Sequence, residues 1–211
     1  MTRETRFCRR GVELREAEGQ ARKIAGYGAV FYRAGDPSTE YVLWDDSYGK
    51  AVERILPGAF DRALRDKHDV RSLFNHDSNI VLGRTTSGTL ALSIDETGLR
   101  FEATPPDTQL VRDQVLAPIQ RGDVSGSSFM FIPMGARWTQ ETVEGKTQDV
   151  REISDVELWE VGPVTFPAYE GTSSEARSAL REEVKRRLTP PPAIAFDVTR
   201  RCWEVADAAA K

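Results

Sequence analysis

Along the first two-thirds of the chain, apolar and polar positions mostly follow the two-residue period of strands. Residues 22–32 are rich in β-branched and aromatic side chains, with Gly26 and Gly28 where a strand would bend. Residues 41–44 form a second short strand candidate, and 70–75 and 80–84 form two more, separated by the polar break His76-Asp77-Ser78-Asn79. Residues 89–94 alternate strictly. The turn Asp95-Glu96-Thr97-Gly98 then leads into 99–103, which predicts a hairpin. Residues 124–132 and 156–166 are apolar enough for core strands, with a polar hairpin tip at 140–146 between them.

Three segments follow the helical period instead. Pro57 opens a short helix candidate at 57–64. Val111, Val115 and Ile119 recur every four residues, with Thr108 placed to cap the start and Gly122 to end the helix; Pro118 unsettles its last turn. Over 175–188, Ala176, Leu180, Val184 and Leu188 repeat every four residues among charges, the pattern of an amphipathic helix. Thr189 and three prolines stop it and begin a polyproline-like linker, and 193–211 reads as a loose tail. Many short strands with few helices give an α+β class, built as a barrel or sandwich.

Composition narrows the class. The chain has 211 residues, 39% apolar and 29% charged, the make-up of one globular domain. No window of 18 apolar residues predicts a membrane span, and the polar start has no apolar core of a secretory signal behind it. The net charge of −4 is uneven: residues 1–24 carry seven basic against four acidic groups and residues 175–211 eight against six, which leaves 14 against 23 between them. An acidic body with mildly basic ends argues against a nucleic-acid groove across the domain. Cys8 and Cys202 stand too far apart for a disulfide framework, and with two histidines no zinc site is expected. No phosphate-cradling loop is present either, so neither metal nor cofactor is predicted.

Candidate chemistry sits in three places. His68 lies in a charged run and reads as a loop residue. His76 leaves an apolar strand and is either a satisfied structural group or a general base. Gly122-Asp123-Val124-Ser125-Gly126-Ser127-Ser128 sets small residues at the entry of an apolar strand; it is a Ser/Gly turn or a place where a hydroxyl is presented. Alternation in 153–169 puts Glu160 on one strand face and Glu157 on the other. A carboxylate buried in such a strand needs a partner, and one exposed on an edge strand needs none.

Taken in order, Asn75-His76-Asp77, Leu82-Gly83-Arg84-Thr85, Gly122 to Phe131, Trp159-Glu160-Val161 and Val164-Thr165-Phe166-Pro167-Ala168 resemble the prohead (capsid maturation) serine proteases of tailed phages. The resemblance implies a fold like that of the herpesvirus assemblins, a mostly antiparallel β-barrel with surrounding helices. It implies His76 as general base and Ser128 as nucleophile. The family's run usually reads Ser-Gly-Met-Ser-Phe-Gly-Phe; here Ser127 replaces the Met and Met130 the Gly, adding a neighbouring hydroxyl and bulk beside the site. Glu160 is the favoured third member, with Asp155 or Glu157 as fallback, and Arg84 fits a salt bridge better than an oxyanion contact. The implied partners are a major capsid protein precursor or scaffolding protein as substrate, and the chain itself through autoproteolysis. A homodimer is left open, and the implied location is the procapsid assembling in the bacterial cytoplasm. On this reading residues 1–19 are an N-terminal extension, 20–174 the protease domain, and 175–211 an amphipathic helix, Pro linker and tail that self-cleavage would shorten. A catalytically silent assembly module of the same fold is the alternative.

Overall fold

The computed structural model describes residues 2–8, 10–16, 22–47, 49–166 and 174–188. The Pro linker, the tail, Cys202 and the Pro167-Ala168 end of the last motif lie outside the described residues. Strands dominate: β1 (Glu4–Cys8), β2 (Val12–Arg15), β3 (Lys23–Val30), β4 (Tyr41–Asp46), β5 (Gly49–Ile55), β6 (Arg71–Phe74), β7 (Asp77–Arg84), β8 (Leu90–Ile94), β9 (Gly98–Ala103), β10 (Gly126–Val143) and β11 (Lys146–Val164). The helices are α1 (Asp61–Arg65), α2 (Gln109–Val111), α3 (Ala117–Arg121) and α4 (Ser174–Leu188), with a π-helical turn Arg112–Leu116 between α2 and α3.

The strands make two sheets. One has the order β1-β10-β11-β5-β4, with β6 on the far end of β11 and β7 on β6; the other is β2-β3-β9-β8. The second sheet is antiparallel throughout, whereas β11 pairs in parallel with both β5 and β6. The expected closed barrel is therefore not what the hydrogen bonds draw. The sheets meet at corners through single bonds, Val12 N to Ser125 O at 3.0 Å and Tyr32 N to Ile55 O at 2.7 Å, and not through a continuous ladder. Ile24, Leu99, Phe101, Phe129, Phe131, Ile153 and Val161 fill the space between the sheets. Gly28 lets β3 cross β11 there, because a Cβ at that position would collide with Val161.

Local expectations fare unevenly. The helix predicted after Thr108 forms, with the Thr108 hydroxyl accepting from Val111 N and Gly122 ending it at φ 84°. Pro118 has no N–H to continue the α ladder, and the chain absorbs it with the π turn just upstream. Pro57 sits in a turn four residues ahead of α1 instead of in its first turn. The core strands extend far beyond their apolar stretches, as an 18- and 19-residue hairpin closed by Glu144 and Gly145, both at positive φ. Its outer half is too polar to be read as core. It is instead held by pairing with β5 and by α4, which lays Leu180 and Val184 on Leu43, Trp44 and Trp138. β1, β2 and β5 arise where the pattern indicates no element. No helix among the described residues is long and apolar enough to cross a membrane.

Candidate active site

Ser127 and Ser128 are neighbours on β10, so the strand period sends them to opposite faces. Ser127 turns toward the core, where its hydroxyl donates to the Tyr27 carbonyl. Ser128 turns the other way and lies across from Phe7 of β1 and Gly162 of β11. Its Oγ is 2.7 Å from His76 Nε2. Both serines are buried, but only Ser128 meets a base.

His76 occupies the second position of the two-residue loop joining β6 to β7, where Phe74 pairs with Asp77. Asn75 and His76 both have positive φ, 54° and 61°, as a type I′ hairpin turn requires. Asn and His tolerate that region better than most residues, so a polar break in the sequence becomes a tight turn here and not a loop. The turn is tied to the end of β11. Asn75 N donates to Pro163 O at 3.1 Å, Asn75 Nδ2 donates to Thr165 Oγ1 at 3.0 Å, and Thr165 N donates to Asn75 Oδ1 at 2.8 Å. Gly162 permits this closeness, because a Cβ there would strike the Leu73 backbone of β6. Phe7 meets the imidazole edge-on at 6.3 Å between ring centres.

Glu160 projects from β11 on the face shared with Ser128, and its Oε1 lies 2.8 Å from His76 Nδ1. It is buried, whereas His76 is about a quarter exposed and is the member that reaches solvent. An ionised carboxylate can only accept, so Nδ1 carries the proton and Nε2 is left to accept from the Ser128 hydroxyl. The structure thus brings Ser128, His76 and Glu160 into one hydrogen-bonded chain. The fallback carboxylates are elsewhere: Asp155 accepts from Arg62 at 3.0 Å, and Glu157 lies across from Ile132, past a bulge in the β10–β11 ladder.

Other groups singled out in the sequence have structural partners. Arg84 donates twice to Asp69, each bond 2.7 Å long, and this pairing holds the Asp69 carboxyl well below the usual carboxylate range. His68 departs from a plain loop residue, since it is partly buried and its Nδ1 accepts from Leu158 N at 3.4 Å. Cys8, across from Ser127, is buried, and burial pushes its thiol up, which keeps it protonated and poorly nucleophilic. Among the described residues no group of three or more His, Cys, Asp and Glu is arranged to hold a metal ion. Sequence reasoning missed the part played by Phe7, because the N-terminal stretch showed no periodicity. It also missed the Asn75–Thr165 pair, whose members are 90 residues apart.

A family model described as caudovirus prohead serine protease matches residues 10–187, and the chain belongs to that family. It is a serine protease of bacteriophage capsid maturation, a hydrolase acting on peptide bonds. No curated protein and no solved structure matches the chain.

Proposed function

We propose, from membership in the prohead serine proteases, that Ser128, His76 and Glu160 form the catalytic triad of an endopeptidase. The observation that carries the reading is the unbroken Ser128–His76–Glu160 hydrogen-bond chain, with links of 2.7 and 2.8 Å. Ser128 Oγ attacks the scissile carbonyl while His76 Nε2 removes its proton; the same proton then passes to the leaving amine. Water repeats the sequence on the acyl-enzyme. Glu160 holds the tautomer and stabilises the imidazolium. A silent assembly module of the same fold has no need of a base held at bonding distance from a buried serine, so the catalytic reading is preferred.

The substrates in this reading are a capsid precursor or scaffolding protein inside the procapsid, and the chain itself. Residues 20–174 are the protease body, onto which two strands of the 1–19 segment dock, and 175–211 is the part that self-cleavage would shorten. The assemblin-type barrel belongs to the same reading, with the two sheets as a barrel opened at its corners. The test is co-expression with the capsid precursor. Ser128→Ala is expected to fold and to lower cleavage by about 10⁴-fold or more. Undiminished cleavage by that variant would remove the assignment.

A further inference from the structure

The mechanism explains His76 but not the residues around it, Asn75 on one strand end and Thr165 on another. We infer that Asn75 and Thr165 are positioning residues, a two-bond clamp that sets the His76 imidazole between Ser128 and Glu160; this rests on the triad reading above.

The turn that bears His76 belongs to β6 and β7, whereas Ser128 and Glu160 belong to β10 and β11. β6 joins β11 through the single register pair Arg71 with Glu160, at the end of β6 away from the turn. A two-residue turn with both φ values positive costs energy for any side chain, and backbone of this kind persists only where surrounding bonds over-determine it. Those bonds are the three from Asn75. Its amide matches the Thr165 backbone N–H and hydroxyl in a closed pair, and its own N–H caps Pro163 O. The imidazole is the next side chain along, so its place relative to Ser128 follows from where this clamp sits. A displacement of about 1 Å in such a group costs on the order of 10²-fold in rate. The same bonds account for the threonine in the Val164-Thr165-Phe166 segment, which no chemical step uses.

The test compares Asn75→Gly, which keeps the positive-φ turn without the amide, with Asn75→Asp, which keeps an acceptor for Thr165 N, and with Thr165→Val. Two readouts are taken on the full chain: the rate at which a serine-directed fluorophosphonate labels Ser128, and the low-field proton resonance of His76 Nδ1–H bonded to Glu160. Asn75→Gly is expected to lose the resonance and to label on the order of 10²-fold more slowly at unchanged thermal midpoint. Thr165→Val should fall partway and add nothing to Asn75→Gly, and Asn75→Asp should restore most of the rate. Wild-type labelling and resonance in Asn75→Gly would overturn the clamp. If the unsubstituted chain shows the resonance but no labelling, the catalytic reading is overturned, and the clamp stands or falls on whether Asn75→Gly loses that resonance.

Discussion

At one end of the β10–β11 hairpin Ser128 and Glu160 meet His76; toward the other, Arg151 meets Glu4, Arg6 and Glu53. Both clusters are polar and largely buried, and both join strands distant in sequence. The second is a closed set. Arg151 donates to Glu4 and Glu53 at 2.7 and 2.9 Å, and Arg6 donates to the same two at 2.6 and 3.0 Å. Two guanidinium groups face two carboxylates, so charge balances and the cluster ties β1 to β11 and β5 across the sheet. The first is an open set: a carboxylate, an imidazole and a hydroxyl in line, with the imidazole at the solvent side. Buried charges that balance one another hold a fold together, whereas a chain ending in a hydroxyl beside a base can pass a proton on.

The contrast can be broken at several points. After Ser128→Ala, Glu160→Gln should cost the most, about 10³-fold or more in cleavage rate, with little change in stability; a rate within a few-fold of wild type would show that the imidazole needs no anionic partner. Glu53→Gln should do the reverse, since it leaves two buried guanidinium groups short of a countercharge. A loss of about 3 kcal/mol is expected, read from the denaturant midpoint. An unchanged midpoint would show the network to be dispensable.

The same network sets an acid limit. Burial alone would raise the Glu4 carboxyl, but the hydrogen bond from Arg151 and the charges of Arg6 and Arg151 outweigh it and hold it below its ordinary value. A lowered folded-state value means that Glu4 stabilises the fold above the ordinary carboxylate range. That contribution is lost as pH falls through the lowered value. Replacing Glu4 with Gln should therefore flatten the acid side of the stability profile, and a profile of unchanged slope would assign acid unfolding to other carboxylates. The smallest effect is expected from Ser127→Ala: about 1 kcal/mol for the lost bond to the Tyr27 carbonyl, and a cleavage rate within a few-fold of wild type.

Legibility followed how locally each feature is determined. The β8–β9 hairpin, the capped helix after Thr108 and the α4 periodicity are visible in windows of a dozen residues, and all three form. β1 reads as a polar run because Arg6 is buried and Glu4 half-buried through partners on β5 and β11, which no local window contains. The outer half of β10 reads as polar because it stays largely exposed; Trp138 is the buried residue there, against Leu43 and Trp44 of β4, Ala51 of β5 and α4. At the site, strand alternation separated the faces of Ser127 and Ser128 and of Glu157 and Glu160. Choosing between the faces required the position of the His76 turn.

By itself the sequence determined most element types, the acidic composition and, through ordered short motifs, the three residues on which the chemistry is proposed to rest. Tertiary structure alone decided that the sheets remain two and that the Ser128 hydroxyl and the Glu160 carboxylate both lie at bonding distance from one imidazole. The physical reason is range. Period and capping are set by neighbours within a few residues, whereas a hydrogen bond between His76 and Glu160 spans 84 positions and depends on where β6 crosses β11. That crossing depends in turn on Gly162 having no side chain, a fact written in the sequence whose meaning appears only once the strands are in place.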